Sequence, residues 1–573
     1  MILQALTRLY EDLADCGTLE RPGWTPSKIS YVLCIDSDGR LTQTVPLMIE
    51  VQMGKKTVLR PREIILPAAV KRSSKVTPNF LWDNCAYILG IDSKGKPERA
   101  QKCFDACKEL HHTLLDNVPS PVASAILRFF DSWVPDQATD DFILAGCLDD
   151  LMKGANLLFR VNGTDAHTDP LIREAWNQHY NASDGVRMQC LVTGEIDVIE
   201  PVHPAIKGVN GAQSSGAALV SFNAPAFCSY GKEQNLNAPV GKYAAFAYTS
   251  ALNYLLSDRD NVQRIGDTTI VCWAEGAEPA YTGLSCAALF GSPAPAGLKD
   301  ADLRSTVKRL AEGLPCRELN LDPKRPFYIL GLAPNAARLS VRFFHRDSFG
   351  SIMRHINDHH ERLEVIGSFY QTIPLWAMLR ETVNPHSSDK TPSPAMSGST
   401  ARAIFSGTMY PASLLESVMI RIRAERQITP GRAAILKAYY LKNPTDQCPK
   451  EVLTVALNQD STNIPYTLGR LFYLYEQIQE EANPGIVTTI KDKYFNSAAA
   501  TPATIFPILD GLCQKHLRKL SKGLHIKLDN QVCDLKGRLG ESYPIRMTLP
   551  EQGSFNLGYY HQKQFRYTKK EEQ

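Results

Sequence analysis

The acidic residues Glu195 and Asp197 resemble the beginning of a catalytic centre more than any other side chains in this sequence. They lie two positions apart in "VRMQCLVTGEIDVI", whose pattern predicts strands, so both carboxylates would point to one face. Such a pair can hold a divalent metal ion that activates water for phosphodiester hydrolysis. No third acid or histidine completes the pair on that strand face. A metal-dependent nuclease is therefore an alternative, and we predict a protein that is not an enzyme.

Other patterns with chemical potential are also incomplete. Adjacent histidines at 111–112 and 359–360 fall in helical segments, where neighbouring side chains point about 100° apart and cannot chelate one metal ion. The spacing Gly90–Lys96 approaches a phosphate-binding loop, but Pro97 stands where the magnesium-binding hydroxyl belongs. We therefore predict no metal site and no cofactor.

The segment from His203 to Gly241 has the composition of a binding loop. It is rich in glycine, asparagine and serine and contains one acidic residue, Glu233. Glycines let a backbone approach phosphates closely, amide side chains pair with base edges, and serine and lysine contact phosphates. The alternative is a scaffold loop whose glycines only form turns. The residues predicted to bind DNA are first Lys207, Asn210, Gln213, Ser214, Ser215 and Asn223, and then Tyr230, Lys232 and Gln234 as a wedge or minor-groove finger.

A second candidate for DNA binding is "VKRSSKVTPNFLWDN", a basic stretch before an aromatic-rich strand. Phe80 and Trp82 in this stretch are expected in the core rather than at the surface. An ordinary exposed turn is the alternative explanation for its charges. The residues predicted to contact DNA here are Lys71, Arg72, Ser73, Lys75 and Asn79.

The elements that would position these residues predict an α+β fold. Strand patterns such as "YVLCIDSDGR" from Tyr31 and "YILGIDSKGK" from Tyr87 mix with helical patterns, which dominate 98–159. "NPHSSDKTPSPAMSGST" reads as a linker because it is rich in Ser, Thr and Pro. We predict a mixed strand and helix body at 1–383, a linker at 384–400, and an all-α helical bundle at 401–573.

The predicted bundle has its own charge and its own apolar stripe. Residues 401–573 contain 23 Lys and Arg against 16 Asp and Glu, whereas the rest contains 40 against 44. This excess suits a polyanionic partner, although a solvated helical surface would explain it equally well. One predicted helix places its apolar residues at core spacing: Leu468, Leu471, Phe472, Tyr475 and Ile478.

Bulk composition favours a globular cytoplasmic protein. The chain has 573 residues, of which 44% are hydrophobic and 21% charged, enough for two to four domains. Its first residues follow helical spacing interrupted by acids, which predicts an amphipathic helix rather than a signal peptide. Fourteen cysteines without a CxxC pair are typical of free thiols in a reducing compartment.

Several long motifs resemble one family, the large subunit of type I-C CRISPR-associated surveillance complexes, known as Cascade. The resemblance runs in order from Met1 to the last twenty residues. The motifs that carry it are "MILQALTRLYEDLAD", "RPGWTPSKISYVLCID", "NFLWDNCAYILG", "HPAIKGVNGAQSSGAALVSFN", "SYGKEQNLNAPV", "FAYTSALNYLL", "LGLAPNAARLSVRFF", "YTLGRLFYLYEQIQ" and "GYYHQKQF".

The resemblance implies a non-catalytic subunit of an RNA-guided antiviral complex. Such a subunit lies at the 5′ handle of the guide CRISPR RNA, recognises the protospacer-adjacent motif in duplex DNA, and assists strand opening and R-loop formation. Implied partners are target double-stranded DNA, the backbone, handle-binding and small subunits, and a helicase-nuclease that the complex recruits. A purely structural cap that never touches bases is a further hypothesis.

The resemblance also implies a role for the C-terminal part. In this family that part is similar to the separate small subunit of related complexes and is also made alone by internal translation initiation. Met409 and Met419 are the methionines between Met396 and Met547 that could start such a product.

Overall fold

The computed structural model describes residues 1–53, 56–70, 76–92, 95–182, 185–260 and 262–571. The chain folds into two compact units. The first contains Leu3–His203 and Phe222–Ala251, and the second contains Pro204–Ser221 and Leu252–Gln573. The glycine-rich segment is therefore divided, since 204–221 belongs to the second unit and 222–241 to the first.

The first unit mixes short strands with helices. Its elements in chain order are α1 (Ile2–Asp15), β1 (Trp24–Ile29), β2 (Tyr31–Ile35), β3 (Leu41–Pro46), β4 (Met48–Met53), β5 (Lys56–Pro67), β6 (Trp82–Asn84), α2 (Cys85–Ile88), α3 (Pro97–Leu115), α4 (Pro121–Ser132), α5 (Leu148–Met152), β7 (Asn156–Val161), β8 (Thr164–Asp165), α6 (Pro170–Asn181), β9 (Arg187–Gln189), β10 (Ile196–Val198) and the first turns of α7 (Lys242–Ser257).

The described residues of this unit form three sheets. The largest has the order β3-β2-β7-β6 with β8 beside β7, and its β2 and β7 strands are parallel while the other pairs are antiparallel. A second sheet has the order β1-β5-β4, and β9 and β10 form a hairpin. The core lies where the largest sheet meets α3 and α4, and its largest side chains include Phe104, Phe129, Phe130 and Phe159.

The second unit begins with a sheet and continues as helices. Its elements are the last turns of α7, β11 (Gln263–Ile265), β12 (Thr268–Ala274), α8 (Pro279–Phe290), α9 (Leu303–Ala311), β13 (Pro326–Asn335), β14 (Arg338–Ser348), α10 (Phe349–Leu363), α11 (Leu375–Arg380), α12 (Pro394–Ser406), α13 (Ala412–Glu425), α14 (Pro430–Lys442), α15 (Ile464–Ala482), α16 (Ile490–Ala500), α17 (Pro502–Leu517), α18 (Lys522–Lys536) and α19 (Leu549–Glu571).

The sheet of the second unit is an antiparallel meander, β11-β12-β13-β14. One of its faces contributes Ile270, Cys272, Ile329 and Phe343 to a large core. A bulge occurs next to Gly331, where an added Cβ would lie 2.6 Å from the Phe343 ring. The absence of a side chain at this position lets the ring lie flat on the strand.

The helices after β14 include those expected at 401–573. The five apolar residues of the predicted stripe all lie in α15 and are buried. Gly469 of α15 faces the Phe555 carbonyl, and Gly558 of α19 faces the Tyr466 carbonyl, so closely that either Cβ would overlap the facing oxygen. The mixed strand and helix fold with a helical C-terminal part is thus confirmed.

Two sequence-based assignments differ from the structure. Tyr87 lies in the short helix α2 rather than in a strand, because the Asn84 side chain accepts a hydrogen bond from the Ala86 N–H and starts a helical turn. The helical pattern expected up to Phe159 ends at α5, and Phe159 itself lies in β7. Apolar residues of a buried strand and a buried helix are alike in type, so the pattern alone did not separate them.

The segment expected as a linker is also partly ordered. Helix α12 begins at Pro394, inside 384–400, and buries Met396 and Thr400. The core of the second unit continues without interruption from the sheet to α19. Among the described residues, no helix is long and apolar enough to cross a bilayer.

Candidate nucleic-acid interface

The first half of the glycine-rich segment forms a closed loop in the second unit, residues 206–217, named here the amide loop. Ile206 and Ala217 exchange both backbone hydrogen bonds at 2.9 Å and close its base, and both are buried together with Val209. Gly216 has a φ of +100°, and a Cβ there would lie 3.0 Å from the Ile206 carbonyl oxygen. Glycine is therefore required at this closure.

Neighbouring elements of the same unit fix the backbone of the amide loop. The Asn253 side chain on α7 accepts a hydrogen bond from the Lys207 N–H at 2.8 Å and donates to the Ala205 carbonyl at 3.1 Å. The Thr269 hydroxyl on β12 accepts from the Asn210 N–H at 3.0 Å. These bonds use backbone groups of the loop and leave its polar side chains unused.

The polar side chains of the amide loop point to solvent. Within the described residues, none of them makes a hydrogen bond or an ion pair with another side chain or with the backbone. They are donors and acceptors of the kind that contact bases and phosphates. The exposed set comprises Lys207, Asn210, Gln213, Ser214 and Ser215.

The turn between β13 and β14 lies beside the amide loop. Ala218, one residue past the loop, pairs with Arg338 at the start of β14. On the other side, a Cβ added to Gly211 would lie 3.3 Å from the Pro334 ring. The turn exposes Asn335 and leaves Arg338 half-exposed, so an amide and a guanidinium join the same surface.

The second half of the glycine-rich segment contains another ordered loop, residues 229–237 of the first unit, named here the tyrosine loop. Asn237 holds it together: its amide nitrogen donates to the Lys232 and Gln234 carbonyls at 3.1 and 2.9 Å. Its amide oxygen accepts from the Ser229 N–H at 2.9 Å. One side chain thus bonds three points of the loop.

The tyrosine loop presents an aromatic ring to solvent. Tyr230 is 98% exposed, and Lys232 and Gln234 are also exposed. Tyr230 and Gln234 have left-handed backbones, with φ of +54° and +45°. Non-glycine residues adopt this conformation at a cost, and such residues concentrate at functional sites.

The remaining predicted DNA-binding residues have different environments. Asn223 is exposed in the first unit. Lys71, Arg72, Ser73 and Lys75 lie outside the described residues. Asn79 is buried, and its amide oxygen accepts from the Val70 N–H at 3.0 Å, so it orders the chain and does not face a ligand. Phe80 and Trp82 are buried, as expected.

Backbone groups bind one carboxylate of the acidic pair. Asp197 accepts hydrogen bonds from the N–H groups of Val198 at 2.7 Å and Tyr243 at 3.3 Å, the latter in the first turn of α7. A carboxylate there stabilises the helix N-terminus. Glu195 is exposed, and the described residues contain no group of three side chains that could hold a metal ion.

The histidines at 111–112 and 359–360 make hydrogen bonds to other groups of the protein. His111 is fully buried, with Nδ1 at 2.7 Å from the Cys107 carbonyl and Nε2 accepting from the Leu81 N–H at 3.0 Å, and burial lowers its pKa to about 4. His359 Nδ1 lies 2.6 Å from the Tyr410 hydroxyl. The His111 and His359 rings order the interior, and burial, which lowers the pKa of both, keeps them neutral.

The comparison with protein families decides what kind of protein presents these loops. Residues 6–567 match the model of a CRISPR-associated protein family, Cas_Csd1. The chain belongs to the Cas_Csd1 family. Cas_Csd1 is the large subunit of type I-C Cascade, so the match confirms the resemblance of the sequence motifs. A comparison with curated proteins finds no match.

Two residues of this Cas_Csd1 surface were not predicted as site residues. "PFYILGLAPNAARLSVRFFHRD" predicts two strands and a turn, but it contains no local signal that the turn would lie beside the amide loop. Asn335 and Arg338 reach that position through a pairing between residues 120 apart in the chain. Only the folded chain makes that pairing visible.

Proposed function

We propose that this Cas_Csd1 protein recognises the protospacer-adjacent motif in duplex DNA through the amide loop and assists strand opening through the tyrosine loop. It would do so in a cytoplasmic type I-C complex that contains guide CRISPR RNA together with backbone, handle-binding and small subunits. Its role in R-loop formation would in turn support recruitment of the helicase-nuclease. No catalytic step by this chain is part of the proposal.

The observation that carries the proposal is the amide loop itself. Its backbone is bonded at Ile206, Lys207 and Asn210, while its five polar side chains have no partner among the described residues. A fixed backbone lowers the entropy lost on binding. Asn210 and Gln213 match the amides that bond base edges, and Lys207 with the two serines matches phosphate contacts.

The tyrosine loop supports the strand-opening part of the proposal. A wedge must enter a base step without bending away, and unstacking that step costs a few kcal/mol. Tyr230 presents a fully exposed ring on a loop that the Asn237 side chain holds. Lys232, two residues further on, would contact the adjacent phosphate.

The decisive experiment measures binding of the assembled complex to duplexes with a randomised flank. Asn210→Ala or Gln213→Ala should each cost about 1–3 kcal/mol and relax preference at one position, because a bidentate amide–base pair is lost. Gln514→Ala is the matched control, since Gln514 is an exposed amide on α17.

Other outcomes would assign other roles. If binding weakened equally for every flanking sequence, the two amides would contact the DNA backbone rather than the bases. The motif-reading role would then be wrong. Unchanged binding would favour a structural cap. Magnesium- or manganese-dependent cleavage by the chain alone, abolished by Glu195→Ala, would favour the nuclease.

A further inference from the structure

Three exposed aromatic side chains lie together in the second unit, at the connection between α10 and α11. Phe369 is 93% exposed, Trp376 is 49% exposed and Tyr370 is 39% exposed. The Phe369 and Tyr370 rings are 5.5 Å apart at 90°, and the Tyr370 and Trp376 rings are 6.2 Å apart at 88°. These three residues are named here the aromatic cluster.

The connection that carries the aromatic cluster is fixed in place. The Ile366 N–H donates to the Val455 carbonyl at 2.9 Å, and the Ile366 carbonyl accepts from the Tyr560 hydroxyl at 2.5 Å. The Ser368 hydroxyl then donates to the Tyr370 carbonyl at 3.0 Å and accepts from the Tyr370 N–H at 3.3 Å. The rings therefore project from an ordered turn.

The aromatic cluster is not needed to complete the core. Ile373 and Leu375, which follow the turn, are buried in the core. Met378 and Leu379 of α11 are buried there as well. A phenylalanine that is 93% exposed next to two further exposed rings forms a patch, and such patches mark binding surfaces. A single exposed apolar residue would carry no such meaning.

Arg380 supplies a positive charge beside the aromatic cluster, and the acids that flank this stretch, Glu364 and Glu381, are paired with Arg304 and Arg432. The chain contains no acidic residue from Val365 to Arg380. Arg380 is exposed one helical turn after Trp376, on the same side of α11, and it makes no ion pair with any residue that the structure describes. A cation and exposed rings on one surface match a chain of bases joined by phosphates.

We propose that the aromatic cluster and Arg380 form a stacking platform for single-stranded nucleic acid. Bases would stack on the Phe369, Tyr370 and Trp376 rings, and Arg380 would contact a phosphate. Polar Ser368, Gln371 and Thr372 alternate with the rings along the chain, so the stretch is not continuously apolar. A continuous apolar groove for a protein helix would lack these polar interruptions. The platform is independent of the motif-reading role of the amide loop.

Fluorescence anisotropy of the purified full chain with labelled oligothymidylate of about 30 nucleotides tests the platform. Phe369→Ala with Trp376→Ala should weaken binding at least about 30-fold, since two stacked bases are lost. Phe369→Tyr should preserve binding, whereas Phe369→Leu should weaken it as alanine does, because leucine is apolar but cannot stack. Phe142→Ala is the matched control: Phe142 is 85% exposed but follows Asp140 and Asp141, and its loss should change nothing.

Four results would overturn the platform. The wild-type chain could fail to bind the oligonucleotide, or the alanine variant could bind as well as wild type. Phe369→Leu could retain full binding, which would indicate an apolar protein contact. The alanine variant could lose assembly with the other subunits while keeping oligonucleotide affinity, which would make the cluster a subunit interface. A melting temperature equal to wild type checks that each variant is folded, and motif preference on duplex DNA should stay unchanged in all of them.

Discussion

Asn79, Gln213 and Asn237 carry the same functional group, and their surroundings decide how each amide is used. Asn79 is buried and bonded to the Val70 backbone. Asn237 uses its amide donors and acceptor for hydrogen bonds within the tyrosine loop. Gln213 is exposed on a backbone that other residues hold, so its amide is available to a base. Availability of hydrogen-bonding groups, rather than residue type, distinguishes the candidate site residues.

The lysines of the two loops lead to a prediction about salt dependence. If Lys207 and Lys232 contact phosphates, changing each to alanine should weaken duplex binding of the complex without altering sequence preference. The slope of affinity against salt concentration should fall by about one unit for each contact. Lys324→Ala is the control, because Lys324 is an exposed lysine on a different loop of the second unit. An unchanged slope in a variant that also replaces Lys71 and Arg72 would place all four side chains away from DNA.

The buried His111 leads to a prediction about acid stability. Burial lowers the pKa of His111 to about 4 in the folded chain, so between pH 6.5 and 4 the unfolded state binds a proton that the folded state does not. Stability should therefore fall as pH decreases through this window, by about 1.4 kcal/mol per pH unit for this residue. Melting of His111→Gln should show a flatter pH dependence than wild type, whereas His386→Gln, at an exposed site, should not. Equal pH dependence in wild type and His111→Gln would contradict the prediction.

At the scale of elements, close backbone contacts and buried cations such as Lys437 join the helices of the second unit. Gly469 and Gly558 let α15 and α19 approach so closely that the backbones touch. Lys437 on α14 is buried, and its ammonium donates to the carbonyls of Glu361, Arg362 and Glu364 at 3.3, 3.2 and 2.8 Å. This cation satisfies carbonyls at the C-terminus of α10, where the Glu361 carbonyl also accepts from the Glu364 N–H at 3.4 Å.

Replacement of Lys437 should therefore weaken the contact between α10 and α14 and lower the stability of the chain. Burial lowers the pKa of Lys437, and the nearby Glu364 carboxylate acts against this shift. Lys437→Met keeps the apolar stem but removes the ammonium donor from the helix-end carbonyls, which should cost about 2–4 kcal/mol. Thermal melting of the full chain measures the loss, with the exposed Lys450→Met as the control. A melting temperature equal to wild type would mean that water replaces the ammonium without cost.

At the scale of the whole molecule, the helical part shares its core with the sheet that precedes it. The Tyr410 hydroxyl bonds to His359, and the Tyr560 hydroxyl bonds to the Ile366 carbonyl, so contacts run across the segment 384–400. Met409 is 67% exposed just before α13, whereas Met419 is buried inside that helix. A product that starts at Met409 would keep α13 whole, and one that starts at Met419 would lack its first half.

We expect a fragment that begins at Met409 to fold as a helical protein and one that begins at Met419 to be less stable. The first fragment should bind single-stranded nucleic acid weakly, with strong salt sensitivity and a preference for length over sequence. Circular dichroism and thermal melting of both fragments make the comparison. An unfolded Met409 fragment would show that the bundle depends on α10 and the sheet. If changing the codons for both methionines and any nearby alternative start leaves a small C-terminal product at its former level, internal initiation at these sites is wrong.

The sequence by itself determined the elements whose signal is local. The periodicity of α15, the strand-forming residues of β13 and β14 and the family motifs needed only neighbouring residues, and the α+β fold followed from them. The tertiary structure decided which polar residues are available. The sequence predicts Asn79 as a surface amide, but in the folded chain it is bonded to the Val70 backbone. Arg338 lies beside the amide loop because it pairs with Ala218, 120 residues earlier in the chain. The division of the glycine-rich segment between two units was equally invisible. Burial and long-range pairing depend on which distant segments meet, and no local spacing of residue types encodes that.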